Sequence, residues 1–106
     1  MKLWNQIKKS LLEFPSQKIC ENDAEMSYED IAIYSELFAS KLAGEECCAI
    51  LCKSEMAASM ALLACFAANI TAVPLSYRYG LQHCRKIIKK IGPTSIITDL
   101  DGELCM

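Results

Sequence analysis

Residues 54–75 of this chain read SEMAASMALLACFAANITAVPL, and this stretch decides the fold. After Glu55 no charged residue occurs until Arg78, and the first part of the stretch predicts a helix that is apolar on every side. Its end, residues 71–75, predicts a short strand that Pro74 terminates. A helix without a polar face must be covered all round, by lipid or by protein. The nature of that cover therefore determines the class of protein.

The uncharged run leaves a membrane span and a buried core helix as alternatives. By number alone, residues 56–77 reach the roughly 20 apolar residues that a spanning helix needs. However, Asn69, Thr71 and Pro74 interrupt the run, and only about 14 helical residues precede Asn69. The run is also rich in alanine rather than leucine. We therefore expect a helix that is buried in protein, and no membrane span.

The neighbouring segments predict the strands and helices that provide this cover. Residues 47–52, CCAILC, form an apolar run between charged turns, which is typical of a strand buried on both faces. Residues 71–75 and 94–98 predict two further buried strands, and residues 81–91 predict an amphipathic helix between them. The crossovers are long enough for parallel pairing. The pattern predicts a three-layer, Rossmann-like βαβαβ unit with a mostly parallel sheet, whose central helix contacts the sheet on one side and another element on the other.

Residues 1–46 predict a helix, a small hairpin and a second helix ahead of that unit. Apolar side chains recur at helical spacing over residues 3–14, which predicts an amphipathic helix. Residues 17–20 and 25–27 predict two strands joined by a polar turn at residues 21–23. Ser27 suits the N-cap of the second helix, as Ser54 suits that of the central helix. Asn69 suits the left-handed position that closes the central helix. The buried stripe expected on the second helix consists of Ile31, Tyr34, Phe38 and Leu42.

Length and charge narrow the class of protein further. The 106 residues suffice for a single domain with one core. We divide it into an N-terminal helix, a hairpin with a helix, the βαβαβ core and a tail, at residues 1–15, 16–46, 47–99 and 100–106. A net charge of −2 argues against a binder of nucleic acids or anionic membranes. The N-terminal residues lack the apolar run and cleavage site of a signal peptide, so we expect a cytoplasmic protein.

The side chains capable of chemistry do not form a recognisable site. The spacing of Cys47, Cys48 and Cys52 contains no C-x-x-C pair, and most of the seven cysteines lie in apolar segments, as reduced core thiols do. His83 and Cys84 are adjacent on a helix and point about 100° apart, which is unsuitable for a nucleophile and its base. The basic face at residues 85–90 is typical of a solvated helix surface. Three tyrosines suit either a ligand groove or packing against a neighbouring domain: Tyr28, Tyr77 and Tyr79. We predict no catalytic, cofactor-binding or metal-binding residue in this chain.

Four motifs in order resemble the N-terminal segment of the adenylate-forming superfamily of acyl-CoA synthetases, amino-acid adenylation domains and luciferases. Residues 26–31, MSYEDI, resemble its L-T/S-Y-x-E-L signature, and Ser54-Glu55 resembles its N-S-x-E helix start. Residues 66–75, FAANITAVPL, resemble L-K-A-G-A-A-Y-V-P-L, and residues 93–99, PTSIITD, resemble P-K-L-V-I-T-D. The sequence differs at Asn69, where the family usually has Gly, and in the loop SYRYG at residues 76–80.

This resemblance implies the first subdomain of an enzyme that activates a carboxylic acid with ATP and Mg²⁺ as an acyl- or aminoacyl-adenylate. Transfer to a thiol of CoA or of a carrier protein would follow. The family holds ATP phosphates with a later glycine-rich loop. The four glycines here lie far apart in sequence (Gly44, Gly80, Gly92 and Gly102), so they cannot build such a loop. We therefore expect an architectural segment that binds no cofactor, is inactive alone and has the remainder of the ligase as its partner.

Two other classes of function stay open from the sequence. The chain can be a non-catalytic interaction module that docks on a partner or self-associates, through a strand edge or through the apolar face of residues 3–14. More weakly, its cysteines suit a thiol redox or metal-binding protein.

Overall fold

The computed structural model describes residues 2–99, so the predicted tail at residues 100–106 lies outside the described residues. Over residues 2–99 a helix, a hairpin and a second helix precede a βαβαβ unit, as predicted. The elements are α1 (Lys2–Glu13), β1 (Lys18–Glu21), β2 (Ala24–Ser27), α2 (Tyr28–Lys41), β3 (Cys47–Leu51), α3 (Glu55–Ala68), β4 (Thr71–Pro74), a short 3₁₀ helix (Tyr77–Tyr79), α4 (Leu81–Ile91) and β5 (Ser95–Thr98).

The larger sheet has β3 at its centre. Its strand order is β4-β3-β5, and both pairs are parallel, which confirms the predicted parallel sheet. Thr94 holds the start of β5 against the start of β3. Its Oγ1 accepts hydrogen bonds from the N–H groups of Glu46 and Cys47 at 3.1 and 3.2 Å. Its own backbone N–H donates to the carbonyl oxygen of Cys47 at 2.9 Å.

The side chains of β3 enter two apolar layers. Cys48 and Ile50 pack in the layer that contains α3, whereas Leu51 packs with Cys84 of α4. Residues 48–51 are at most 1% exposed, because β3 has a strand on each edge and helices on both faces. The prediction of a doubly buried strand at this position and of a three-layer arrangement is confirmed.

The two outer strands are less buried than the sequence predicts. In β4 both Thr71 and Pro74 are exposed, and in β5 the side chains of Ile96 and Thr98 are exposed. Within residues 2–99 each of these strands has only β3 as a neighbour, so the helices cover only part of its surface. Their apolar composition alone did not reveal this edge position.

The central helix α3 is closed at both ends as predicted. Ser54 Oγ accepts a hydrogen bond from the N–H of Ala57 at 3.0 Å. Asn69 adopts the left-handed conformation (φ 59°, ψ 46°), and its N–H bonds to the last turn. The helix packs on β3 and β4 on one side and on α2 on the other, so protein supplies its cover. Among residues 2–99, no helix has the length and apolarity needed to cross a bilayer.

The N-terminal hairpin and helix differ in detail from the prediction. Glu21 belongs to β1 and pairs with Ala24, so the turn is shorter than predicted, and Asn22 adopts a positive φ of 55° within it. Among residues 3–13 of α1, Trp4 alone is fully buried, and Leu3 and Phe14, at the two ends of the predicted apolar stripe, are exposed. The stripe is therefore narrower than the apolar spacing suggested.

The predicted buried stripe of α2 is only half correct. Ile31 and Leu42 are buried, whereas Tyr34 and Phe38 are 50% and 44% exposed. Ala32 and Ser35 complete the buried side of α2. The helix as a whole packs on α1 and α3. The four exposed apolar side chains, which we call the outer face of α2, are Ile33 (47% exposed), Tyr34, Leu37 (58%) and Phe38.

Candidate functional site

The carboxyl ends of β3 and β5 meet the N-terminus of α3, which is the position where parallel α/β sheets usually bind ligands. The chain passes from β3 to β4 on one side, and β5 lies on the other side of β3. The direction of the connections thus reverses between β3 and β5. Ligands of parallel α/β sheets usually bind in the crevice at such a reversal.

Asp99, the residue that follows β5, closes this crevice from one side. Its Oδ1 accepts a hydrogen bond from the N–H of Lys53 at 2.9 Å, and its Oδ2 accepts one from the N–H of Ser54 at 3.1 Å. The side chain therefore fixes the loop between β3 and α3 to the end of β5.

Glu21 approaches the same helix end from the hairpin. Its Oε2 accepts hydrogen bonds from the N–H groups of Glu55 at 2.7 Å and Met56 at 3.3 Å, and Ser54 Oγ donates to Oε1. Together with Ala57, whose N–H is capped by Ser54, the backbone N–H groups of residues 53–57 all bond to side-chain oxygens of this chain. The helix end that would attract an external anion is occupied by two internal carboxylates.

Both carboxylates are held in the charged form. The hydrogen bond from Ser54, reinforced by those from Glu55 and Met56, lowers the pKa of Glu21 against a smaller opposing effect of burial. Burial acts to raise the pKa of Asp99, but the N–H groups of Lys53 and Ser54 and the charge of Lys53 outweigh it, and the net pKa is lowered. Neither group has the raised pKa of a general acid at neutral pH.

Glu21, Asp99 and the start of α3 together form a junction of three elements. A cavity of about 330 Å³ lies beside this junction, between α2, α3 and the end of β5. Its walls are mostly apolar, and they include Tyr34, Phe38, Cys52, Met60, Ile97 and Asp99. Because the Asp99 carboxylate is already bonded to two backbone N–H groups, the cavity offers an apolar surface rather than a set of reacting groups.

Within residues 2–99 four cysteines are buried (Cys48, Cys52, Cys65 and Cys84), whereas Cys47 is half-buried and Cys20 is exposed. Burial, and then the neighbouring Cys48 thiol, raises the pKa of Cys65 to about 12. Burial and the negative charge of Asp99 also raise the pKa of Cys52. A thiol with a raised pKa is a poor nucleophile and a poor metal ligand near neutral pH. Over residues 2–99, no three His, Cys, Asp or Glu side chains come together as a metal site.

The remaining candidate side chains are scattered. His83 is exposed and lies beside Tyr79, with ring centroids 5.7 Å apart, while the buried Cys84 donates its Sγ hydrogen to the carbonyl of Ser76. Tyr77 packs near Leu51 beneath Lys53, whose Nζ lies 5.0 Å from the ring centroid, whereas Tyr28 contacts the α1 groove. The three tyrosines do not line one cavity.

The two residues that matter most at this junction, Glu21 and Asp99, were not singled out by the sequence. Asp99 carried a usable signal, because an acidic residue directly after a parallel strand lies at the carboxyl edge of the sheet. Glu21 carried none, since its contact with Ser54 joins positions 33 residues apart through the tertiary fold.

No protein-family model matches the sequence, and no curated protein matches it. The fold, by contrast, is that of the N-terminal subdomain of adenylate-forming enzymes. The N-terminal subdomain of NpsA from Klebsiella oxytoca superposes with a TM-score of 0.75 at 15% identity, covering 95% of this chain and 29% of that one.

Longer chains give the same result. The fatty acid AMP ligase from Legionella pneumophila superposes with a TM-score of 0.76 at 20% identity, covering 93% of this chain and 20% of its own. An artificially fused adenylation–PCP di-domain from K. oxytoca gives a TM-score of 0.79 at 14% identity, and the match covers 97% of this chain and 21% of the di-domain chain. The chain thus spans about a fifth of the length of these enzymes, and the resemblance drawn from its four motifs is confirmed at the level of the fold.

Proposed function

We propose that this chain is the first structural unit of an adenylate-forming ligase, which activates a carboxylic acid with ATP and then transfers the acyl group to a thiol. The observation that carries the proposal is the match of nearly the whole chain to the N-terminal subdomain of such enzymes. One of the matching structures, from L. pneumophila, is described as a complex with an acyl adenylate and pyrophosphate, the two products of the first step.

Within that enzyme, the role of this unit is architectural. Its helix end carries two internal carboxylates where a phosphate would otherwise bind, and β4 and β5 each have one strand neighbour within residues 2–99. Such edges allow a sheet to continue into further strands. ATP, Mg²⁺ and the thiol of CoA or of a carrier protein are then bound by other parts of the ligase.

The test measures ATP–pyrophosphate exchange by the 106-residue protein with a panel of fatty, aromatic and amino acids. We expect no exchange above a protein-free control, and exchange with any of these acids would overturn the architectural role. The genomic region around the coding segment provides the second arm. A Ser/Thr/Gly-rich loop followed by lysine, encoded beside it, supports the ligase, and its absence there would contradict it.

A second function, a non-catalytic interaction module, is favoured by one observation. The outer face of α2 presents four large apolar side chains to solvent in residues 2–99. Surfaces of this kind usually bind another protein. This candidate requires no ATP chemistry, and a coding region without the Ser/Thr/Gly-rich loop and its lysine favours it over the ligase.

A further inference from the structure

The outer face of α2 combines an apolar centre with opposite charges at its two ends. At about 100° per residue, Asp30, Ile33, Tyr34, Leu37, Phe38 and Lys41 fall within an arc of about 140°. The buried residues Ala32 and Ser35 lie on the other side of the helix, and the buried Ile31 borders the arc next to Phe38. Asp30 is in the first turn and Lys41 is in the last.

The order of these residues is self-complementary. If a second α2 lies antiparallel across the first, with the symmetry axis between Ser35 and Glu36, Asp30 meets Lys41 of the other copy. In the same register, Ile33 meets Phe38 and Tyr34 meets Leu37. Every contact is thus apolar on apolar or acid on base, as a two-fold symmetric interface requires. A parallel arrangement would instead place Asp30 against Asp30 and Lys41 against Lys41.

We propose that the outer face of α2 binds the same face of a second copy of this chain, with the two helices antiparallel. The cavity beside α2 favours this contact, because Tyr34 and Phe38 form both the rim of the cavity and part of the outer face. Leu37 of the second copy, opposite Tyr34, then lies at the mouth of that cavity. The net charge of −2 leaves little repulsion between two copies.

The proposal is independent of the ligase function and can fail without it. The patch from Asp30 to Lys41 is about 17 Å long, which corresponds to a small interface and to a reversible dimer. The molar mass is therefore measured by sedimentation equilibrium from about 1 to 200 µM chain, the range in which a contact of this size dissociates. We expect a mass that rises from monomer to dimer.

The first variants test the apolar centre. Leu37→Asp places a carboxylate in the middle of the contact and is expected to weaken the dimer by at least about thirtyfold. Leu12→Asp is the matched control, since Leu12 is also exposed (44%) but lies on α1. It is expected to leave the dimer unchanged, and far-UV circular dichroism verifies that both variants are folded.

The second pair of variants tests the antiparallel register. Asp30→Lys opposes lysine to lysine in its own dimer, and Lys41→Asp opposes acid to acid, so each alone is expected to weaken association about tenfold. When the two variants are mixed, both charge pairs become complementary again, and a heterodimer of near wild-type affinity is expected. A parallel pair of helices would also become complementary in the mixture, but neither single variant would weaken it relative to the wild type. Weakening by each variant alone and recovery in the mixture together identify the antiparallel register.

Three results would overturn the proposal. One is a monomeric wild-type chain at the highest concentration, and another is a dimer that Leu37→Asp does not weaken. The third is a mixture of Asp30→Lys and Lys41→Asp chains that associates no better than either variant alone. A monomer that binds a hydrophobic dye, and loses that binding through Leu37→Asp, would assign the face to a different protein. None of these results bears on ATP–pyrophosphate exchange.

Discussion

Helices α2 and α3 are a natural pair for comparison, because each has 14 residues and each begins at a serine cap. The central helix α3 is apolar on every side, and its apolar side chains are buried or half-buried in protein. The helix α2 carries three acidic residues and a lysine, yet it leaves four large apolar side chains exposed. Composition therefore does not decide burial here. The position of each helix among the layers decides it, since α3 lies between the sheet and α2.

The two helix starts differ in the same way. Ser27 accepts one hydrogen bond, from the N–H of Asp30 at 3.1 Å, and forms an ordinary exposed cap. At Ser54 the hydroxyl cap is joined by Glu21 and Asp99, which come from β1 and from the end of β5. The start of α3 is thus a junction of three elements, whereas the start of α2 is a local structure.

The sharpest test of the difference in burial places one charge on each helix. Ala64→Asp on α3 buries a carboxylate at a site that is 0% exposed, and we expect it to lower the free energy of unfolding by at least about 3 kcal/mol. Leu37→Asp on α2 should change the stability of the monomer by less than about 0.5 kcal/mol. Urea unfolding at low chain concentration measures both. Equal losses in the two variants would refute the contrast.

The two serine caps provide a test of intermediate size. Ser54→Ala removes the cap of Ala57 and also the donor to Glu21, so we expect a loss of about 1 to 2 kcal/mol. Ser27→Ala removes one exposed cap and should cost about 0.5 to 1 kcal/mol. Thermal and urea unfolding of both variants gives the comparison. If Ser27→Ala were the more destabilising change, the junction at α3 would not be the stronger helix start.

The smallest effect is the pH dependence of the same junction. The pKa values of Glu21 and Asp99 are lowered in the folded protein. Their contribution to stability is therefore complete above the unfolded-state pKa values, and it is lost as pH falls through the folded-state values. We expect the urea midpoint of the wild type to fall further between about pH 6 and pH 3 than that of a Glu21→Gln/Asp99→Asn double variant. Parallel pH profiles would show that the junction contributes nothing.

Much of the fold followed from local patterns in the sequence. The buried strand at β3, the serine caps at Ser27 and Ser54 and the left-handed Asn69 each depend on a few adjacent residues, and each is confirmed. Four motifs in order were enough to indicate the first subdomain of adenylate-forming enzymes, and the fold agrees.

The features that the sequence did not predict depend on distant neighbours. Tyr34 and Phe38 are exposed because the elements packed on α2 leave that part of its surface uncovered. Ile96 is exposed because β5 is an edge strand within residues 2–99. Glu21 was assigned to a turn because its partner, the start of α3, comes near only after folding. In each case the sequence showed whether the side chain is apolar or charged. It did not show which helix or strand packs against that side chain in the fold.

The bond network of Thr94 has a consequence for the order of folding. Thr94 bonds to Cys47, 47 positions earlier in the chain, whereas β3 and β4 are joined through the single helix α3. Closing the longer loop costs more conformational entropy, so we expect β3, α3 and β4 to associate first. Docking of β5, with Thr94 and Asp99 at its two ends, is then the final step. During synthesis, nearly the whole of residues 2–99 must therefore leave the ribosome before β3 can pair with β5, its second neighbouring strand.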